Sequence, residues 1–500
     1  MIKSLKPLLP LGLGLSLFLL LVTLSWVGFL GSDDVTYARG AYGWIEDFPF
    51  VGGHGTIRYT ITIPMALSFL TFGENEVAFV LPSLLYMLGF LVAAYTLTAL
   101  YCDKRHAFGA LLALVTCPLL VVNSTIAGVD VIELCFLFLS VALYYGCLIN
   151  GPSLKRLFAA GVCAGLGFLT RETSIFIAVF YGLLFLAGHG FKRRYYWMIA
   201  AGFLAVWGLE LLYLGVMTGD PLYRYSISMH HDATIDRSID LAGNVIVHPV
   251  IDPFLVLLLN QELMLLFFVA IPLGIWLCFG RGIDPKIRHF SRIFALFGVT
   301  WFVCAGAAYK LLPLNPRYFM ATTAVACILT GIGLVSLWTR FGWPRVAAGI
   351  AALLLGSNAV GMYVENKDFM FAERSLVQLS RAYPKATIVT DPMTRYRADL
   401  LLRWDKAQAR VTDMGPQSGA LFFYNVQNVE SPNRFMTAKD SARFKPQLGW
   451  SKLTTLEPQP TYAARFLEVT GVAPMLPPAV WKKLRYHHQP VTLYQVPARP

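Results

Sequence analysis

The segment Gly31-Ser32-Asp33-Asp34-Val35-Thr36-Tyr37 sets two adjacent carboxylates directly after the first long apolar run of the chain. A carboxylate held near an acceptor hydroxyl or amine can take up its proton as the acceptor attacks. It can also coordinate a cation that neutralises a phosphate leaving group. Asp is equally favoured as a helix N-cap, so capping of the following segment is the structural alternative.

Two further sets of polar residues interrupt apolar stretches. Asp130 and Glu133 are spaced one helical turn apart, so their side chains are expected to face the same way. They could bind acceptor hydroxyls or assist Asp33, and capping of a helix by Asp130 is the alternative. Arg171-Glu172-Thr173 forms a charged turn between two short apolar runs. Glu172 is expected to orient Arg171 or another cation.

The elements that position these residues follow from composition. Of the 500 residues, 56% are hydrophobic and only 14% are charged, against roughly 25% in a typical soluble domain. A soluble enzyme, a nucleic-acid-binding domain and a disordered chain are therefore excluded for most of the sequence. Residues 364–500 carry 19 basic and 11 acidic residues, so this tail supplies most of the net charge of +12 and the rest of the chain is nearly neutral. The net charge therefore does not indicate a nucleic-acid partner. The chain is predicted to be a polytopic membrane protein.

Apolar runs of about the length of a bilayer core predict eleven transmembrane helices. They lie near 8–30, 77–100, 107–123, 131–149, 158–170, 174–188, 195–216, 256–279, 293–311, 317–338 and 345–363. The fifth and sixth runs are short and meet at the charged turn, which predicts a cavity in the outer half of the membrane. Ionisable groups at that depth are functional candidates.

Charge sorting predicts the sidedness. With the N-terminus inside, the loops after even-numbered spans hold most basic residues of the first 363, as the positive-inside rule requires. Among the acids of that part, only Asp103 and Asp284 fall on the predicted cytoplasmic side. Acids do not set topology, so their concentration outside points to chemistry on the outer face.

The tail after residue 363 differs in pattern. Residues 386–390 are rich in β-branched side chains and are followed by Asp391-Pro392, which predicts a strand and a turn. Residues 372–383 and 395–404 are predicted helices, and 491–496 a last strand. The predicted fold is therefore mostly α, with a membrane-embedded helical domain over 1–363 and a small α/β extracytoplasmic domain over 364–500.

Six motifs together resemble those of GT-C type membrane glycosyltransferases, in the branch of the aminoarabinose transferases and protein O-mannosyltransferases. They occur in the family's order over roughly residues 5–340, and the Arg of the fourth stands where the family usually has Lys. They are Asp33-Asp34 with Tyr37, Phe72-Gly73-Glu74-Asn75-Glu76 before Leu81-Pro82-Ser83, Asp130 with Glu133, Arg171-Glu172-Thr173, Gly219-Asp220-Pro221-Leu222-Tyr223, and Asn315-Pro316-Arg317-Tyr318.

The resemblance implies transfer of a sugar from a polyprenyl-phosphate carrier to a glycan, lipid or protein acceptor on the outer face of the membrane. The expected membrane is the inner membrane of a bacterium. Asp33 is then the expected base, and Asp34 supports Asp33 or the acceptor. Outer cations are expected to hold the departing phosphate, and Tyr37, Trp44, Asp130 and Glu133 to contact the acceptor or sugar. The phosphate candidates are Arg317, Arg171, Arg58 and Lys310, with Glu172 and Tyr318 in support.

Two other functions fit part of the pattern. A transporter or flippase of a lipid-linked glycan would also need charges in the membrane, but along the whole path and often with inverted repeats. A surface-polysaccharide polymerase or ligase would share the chemistry without an acidic pair after the first span. No metal site is predicted, since no HExxH motif or Cys/His spacing occurs. No cofactor is firmly expected, although a divalent cation is possible, and nucleic acid is not a predicted partner.

Overall fold

A computed structural model of the chain describes residues 9–231, 248, 250–308, 314–365, 369–430, 441–486 and 488–498. These residues form two compact units. The first comprises residues 1–28, 36–73 and 77–365, and the second comprises 29–35, 74–76 and 366–500. The chain is mostly helical, as predicted.

The helices that precede residue 366 vary widely in length. They are α1 (Leu9–Leu24), α2 (Asp33–Glu46), α3 (Tyr59–Phe72), α4 (Glu76–Tyr101), α5 (Lys104–Val115), α6 (Pro118–Ser124), α7 (Val129–Asn150), α8 (Leu154–Thr170), α9 (Phe176–Leu186), α10 (Tyr196–Thr218), α11 (Tyr223–His231), α12 (Asp252–Leu259), α13 (Leu266–Phe279), α14 (Pro285–Ala307), α15 (Met320–Thr339) and α16 (Pro344–Glu365). Short 3-10 turns, Glu172–Ile175 and Pro316–Phe319, precede α9 and α15.

Six helices in the described part of the chain are long and apolar enough to cross a membrane. They comprise Glu76–Tyr101, Val129–Asn150, Arg193–Thr218, Pro285–Ala307, Pro316–Thr339 and Pro344–Val364. The chain is thus a multi-pass membrane protein, and the number of eleven spans stays a prediction.

Two of the predicted spans are not straight helices. The run near 107–123 bends by 67° between α5 and α6. Pro118 is the first residue of α6, and its missing N–H prevents α5 from continuing through it. The run near 256–279 is divided between α12 and α13. The mean hydropathy of a sequence window shows neither break, because the residues on both sides of each break are apolar.

Polar side chains set the ends of several helices. Asp103 accepts hydrogen bonds from the backbone N–H groups of Arg105 and His106 at the start of α5. Asp284 does the same for Lys286 at the start of α14. Such caps satisfy N–H groups that have no partner within the helix. Basic residues follow each cap directly, Lys104 and Arg105 in α5 and Lys286 in α14.

Small residues let α8 and α10 approach closely. A Cβ added at Gly161 would collide with the carbonyl oxygen of Ile199, and one at Gly202 with that of Phe158. Membrane helices associate through such close backbone contact, because no hydrophobic force drives them together within lipid. This crossing fixes α8, whose C-terminus leads into the charged turn.

The second unit contains a sheet with helices α17 (Phe371–Ala382), α18 (Pro392–Trp404), α19 (Val426–Glu430), α20 (Tyr462–Val469) and α21 (Pro478–Arg485). Its strands are β1 (Thr387–Val389), β2 (Arg410–Thr412), β3 (Leu421–Asn425), β4 (Ser451–Leu456) and β5 (Val491–Gln495). They are ordered β2-β1-β3-β5-β4. β1 is parallel to β2 and β3, whereas β5 is antiparallel to β3 and β4.

Both faces of the sheet are buried at its central strands β1 and β3. Ile388 and Phe423 pack with Leu376 on one face, and Val389 and Phe422 pack in a separate cluster on the other. The alternation follows from the two-residue period of a strand. This double burial explains why β1 and β3 are almost wholly apolar, and it holds α17 and α18 against one face.

Candidate functional site

Arg171 joins α7 to the charged turn. Its backbone is extended directly after α8, and its guanidinium forms an ion pair with the carboxylate of Asp130. Both side chains are at most 10% exposed. The guanidinium also lies 4.0 Å from the ring centroid of Tyr318, within the range of a cation–π contact. Three residues predicted for the site are thus brought together from distant parts of the chain.

Glu133 is buried one turn after Asp130 and binds the same turn through hydroxyl groups. Its Oε1 accepts hydrogen bonds from Thr173 Oγ1 at 2.6 Å and from Ser174 Oγ at 2.9 Å. A buried carboxylate requires such donors, because an unsatisfied one is costly. Together with the Asp130–Arg171 pair, these bonds tie the 3-10 turn Glu172–Ile175 to α7.

Glu172 points to two other arginines. Its Oε2 accepts from Arg58 Nη1 at 2.9 Å, and its Oε1 accepts from Arg224 Nε at 2.9 Å. Arg58 Nη1 also donates to the carbonyl of Thr170 at 2.8 Å. Arg58, a candidate phosphate ligand, is therefore engaged with the charged turn. Glu172 forms ion pairs with Arg58 and Arg224, and its role in orienting a cation of the site stays a prediction.

Arg224 and Glu210 are site neighbours that the sequence analysis did not assign. Arg224 is 1% exposed, and its Nη1 donates to Glu210 Oε1 at 2.8 Å while Nη2 donates to the Phe168 carbonyl at 3.0 Å. The signal was Glu210, an acid within the long apolar run of α10. A carboxylate at such a position needs a cation, and Arg224 supplies it.

One pocket brings Arg317 and Tyr318 together with Asp130 and Glu133. Its polar lining consists of Asp130, Glu133, Arg317, Tyr318 and the indole of Trp301, and its apolar lining of Leu134, Leu137, Met320 and Ala321. The Arg317 guanidinium lies 5.7 Å from the Tyr318 ring centroid, so Arg317 and Arg171 are both near the same ring. Trp301, which the sequence analysis missed, donates from Nε1 to the Tyr318 carbonyl at 2.9 Å.

The two aromatic candidates lie on α2. Tyr37 is 6% exposed, whereas Trp44 is half-buried and donates from Nε1 to Thr62 Oγ1 at 3.1 Å. The Trp44 ring packs against Tyr59 and Tyr213, with centroids at 5.7 Å and 6.3 Å. Such an aromatic cluster can present a flat face to a sugar, and it also fits an ordinary packing role.

The acidic pair lies in the second unit, and its two carboxylates differ in surroundings. Asp34 is 3% exposed and accepts hydrogen bonds from the backbone N–H groups of Leu30 at 2.7 Å and Ser32 at 2.6 Å. Burial raises the pKa of the Asp34 carboxyl to about 6, against the lowering effect of these bonds. Asp33 is exposed at the first residue of α2, where the helix dipole favours a carboxylate.

Gly31 makes the turn before the pair possible. Its φ of +66° lies in the left-handed region, which glycine adopts without the strain that a side chain would add. The turn aims the N–H groups of Leu30 and Ser32 at one carboxylate. Asp34 thus organises the turn, and Asp33 beside it is an exposed residue.

Within the described ranges, no group of three or more His, Cys, Asp or Glu residues could hold a metal ion. Lys310, the remaining phosphate candidate, lies outside the described residues. The candidate site of the first unit therefore consists of carboxylates, guanidinium groups, hydroxyls and aromatic rings.

Comparisons with known proteins bear on both sequence and fold. Residues 60–213, which include Asp130, Glu133 and the charged turn, match the family described as dolichyl-phosphate-mannose-protein mannosyltransferase. A comparison with curated proteins finds no match.

Solved structures share the fold at low sequence identity. ArnT from Cupriavidus metallidurans in the apo state is 13% identical with a TM-score of 0.55, over 89% of this chain and 96% of that one. The same protein bound to undecaprenyl phosphate is also 13% identical with a TM-score of 0.55, over 84% and 94%.

An oligosaccharyltransferase from Archaeoglobus fulgidus is 12% identical with a TM-score of 0.51, over 79% of this chain. The match covers only 62% of the archaeal protein's own length. The predicted resemblance is thereby confirmed: in its fold and in residues 60–213, the chain is similar to GT-C type membrane glycosyltransferases.

Proposed function

We propose that the protein is a glycosyltransferase that moves a sugar from a polyprenyl-phosphate carrier to an acceptor on the extracytoplasmic face of the membrane. The acceptor is a glycan, a lipid or a protein hydroxyl. Asp33 acts as the general base, and cations of the first unit hold the phosphate. The membrane is the inner membrane of a bacterium, and residues 364–500 form an extracytoplasmic domain.

The observation that carries this proposal is the pocket in which Arg317 lies beside Tyr318, Asp130 and Glu133. Guanidinium groups suit phosphate because they give charge-assisted, often paired hydrogen bonds. Arg171 lies against the same tyrosine, and its pairing with Asp130 sets the local charge. A phosphate that departs with its lipid would be stabilised here, where apolar walls strengthen the electrostatic attraction.

The relatives support a lipid-linked donor. ArnT from Cupriavidus metallidurans, with the same fold, was solved with undecaprenyl phosphate bound, and the family that matches residues 60–213 is named for a dolichyl-phosphate donor. A carrier of this kind brings the sugar along the membrane, so the enzyme needs no nucleotide-binding loop. The sequence contains neither a P-loop motif nor a GxGxxG motif after a strand.

Asp33 is proposed as the base because its carboxylate is exposed while that of Asp34 is consumed by backbone hydrogen bonds. As the acceptor oxygen attacks the anomeric carbon, its proton passes to Asp33 and the carbon–phosphate-oxygen bond breaks. Polyprenyl phosphate leaves with the electron pair. Tyr37, Trp44, Asp130 and Glu133 are proposed to contact the sugar or the acceptor.

Loss of the base should abolish most of the transfer. Purified protein in lipid nanodiscs is given a radiolabelled polyprenyl-phosphate sugar and a cell-envelope extract, and label in the acceptor fraction is measured. We expect Asp33→Asn to lower the rate by about 100-fold or more, because general base catalysis contributes at least that much. Glu46→Gln, an exposed acid at the end of the same helix, is the control. Undiminished transfer by Asp33→Asn would exclude this mechanism.

Arg317 should affect the donor more than the acceptor. Replacing it by Gln removes a charge-assisted contact to the phosphate, so we expect KM for the donor to rise by about tenfold. The acceptor KM should change little. Arg39→Gln, an exposed arginine on α2, is the matched control. An unchanged donor KM and unchanged donor binding in Arg317→Gln would remove Arg317 from the phosphate site.

Asp34 should make stability depend on pH. Its pKa rises from 3.8 to about 6 on folding, so the folded state binds this proton more tightly than the unfolded one. The free energy of unfolding should therefore fall by up to about 3 kcal/mol as pH rises from about 4 to about 6. Thermal unfolding followed over this range should show the fall in the wild type and in Asp33→Asn. The same slope in Asp34→Asn would contradict the assignment.

A further inference from the structure

Arg397 of α18 contacts the backbone of the segment that carries the acidic pair. Its Nη2 donates to the Leu30 carbonyl at 2.8 Å and to the Phe369 carbonyl at 3.2 Å. The side chain is 18% exposed, and its Nε lies 3.5 Å from Glu373 Oε1. One guanidinium in the second unit therefore links residue 30 to residue 369. We call residues 29–35 the acidic segment.

The Leu30 residue is held from both sides. Its N–H donates to the Asp34 carboxylate, and its carbonyl accepts from Arg397. Gly31 follows with its left-handed backbone, and a Cβ there would come within 2.7 Å of Arg397 Nε. The turn is thus packed closely against Arg397, and a side chain at position 31 would displace the guanidinium and strain the backbone.

A second arginine holds the start of the acidic segment through a shared carboxylate. Glu76 Oε1 accepts from the Phe29 N–H at 2.9 Å and from Arg374 Nη2 at 2.9 Å. The Phe29 ring meets the Trp404 ring edge-on, with centroids 5.5 Å apart. Two successive residues, Phe29 and Leu30, are therefore fixed by groups that α17 and α18 supply.

Arg403 of α18 forms a third contact, with Glu74. Its Nε donates to Glu74 Oε2 at 2.9 Å. This pair is more than a third exposed on each side, so it contributes little to stability by itself. Arg397 is better placed to act on the segment, because it is mostly buried and its donors meet main-chain oxygens.

We infer that Arg397 is a positioning residue: it fixes the Leu30–Ser32 turn so that Asp33 is presented in one orientation. The inference rests on the proposed function only in giving Asp33 the role of base. A catalytic carboxylate misplaced by about 1 Å loses much of its effect on the rate. Residues 366–500 then support catalysis through Arg397 without contributing a catalytic residue.

The contact can be tested without an activity assay. Hydrogen exchange of peptides that cover residues 29–35 is compared in nanodiscs for the wild type, Arg397→Gln and Arg381→Gln. Arg381 lies on α17 and pairs with Asp405, so it is a matched control. We expect exchange in the acidic segment to become about tenfold faster in Arg397→Gln and to stay unchanged in Arg381→Gln. Unchanged exchange in Arg397→Gln would overturn the inference.

Two further variants distinguish loss of this contact from a general loss of folding. Gly31→Ala leaves every side chain of α17 and α18 intact and disturbs the contact from the other side, so it should also speed exchange. Arg397→Lys retains one donor and should restore part of the protection. If Gly31→Ala and Arg397→Lys both exchange like the wild type, the contact does not hold the turn.

The effect of Arg397 on catalysis is tested by comparing kcat with the donor KM. We expect Arg397→Gln to lower kcat by about tenfold with the donor KM unchanged, whereas Arg381→Gln should change neither. If Asp33→Asn transfers sugar normally while Arg397→Gln speeds exchange, the proposed base is wrong and the positioning contact stands. Wild-type kcat in Arg397→Gln, with Asp33→Asn inactive, would overturn the positioning role alone.

Discussion

The acidic segment depends on one interaction, the pair of hydrogen bonds from the Leu30 and Ser32 N–H groups to the buried carboxylate of Asp34. A carboxylate removed from water must find donors, since an unsatisfied one is costly. Here the backbone supplies them, and it can do so only because Gly31 turns through a left-handed conformation. The same bonds explain why two adjacent carboxylates can occur together: one is structural, and the other faces solvent.

The first unit uses buried charge in a similar way. Asp130, Glu133, Glu172 and Glu210 each accept hydrogen bonds from arginine or hydroxyl groups brought from other helices. Breaking a buried pair leaves an uncompensated charge, which is strongly destabilising. Most acids of the pocket and the charged turn therefore order the scaffold. The chemistry is proposed to fall to Asp33 and Arg317, one exposed and the other lining the pocket.

The structural features that depend on local sequence patterns could be predicted from the sequence. The apolar runs predicted the long helices, and the spacing of Asp130 and Glu133 predicted that they share a face, as their common pocket shows. Alternating apolar and β-branched residues marked the segments of β1 and β5. Strands β2, β3 and β4 were not predicted, because no run of β-branched residues bounded by a turn signal marks them in the sequence.

What could not be predicted are the partners that lie far apart along the chain. Arg171 pairs with Asp130 and Arg224 with Glu172 because of how helices cross, and no local pattern encodes that crossing. The clearest case is the acidic segment, which forms one compact unit with residues 366–500. Residues 29–35 look like a simple loop after an apolar run, and nothing near them in sequence indicates that Arg397 binds their backbone.

The placement of the Asp33–Asp34 turn on the outer face of the membrane is the basis of the proposed chemistry. It is tested most directly by labelling Ser32→Cys in intact spheroplasts with a membrane-impermeant thiol reagent, after the eight native cysteines have been replaced. Lys155→Cys, in the predicted cytoplasmic loop between the apolar runs near 131–149 and 158–170, is the control. We expect labelling of residue 32 in intact cells and of residue 155 only after permeabilisation. Labelling of residue 32 only after permeabilisation would contradict it.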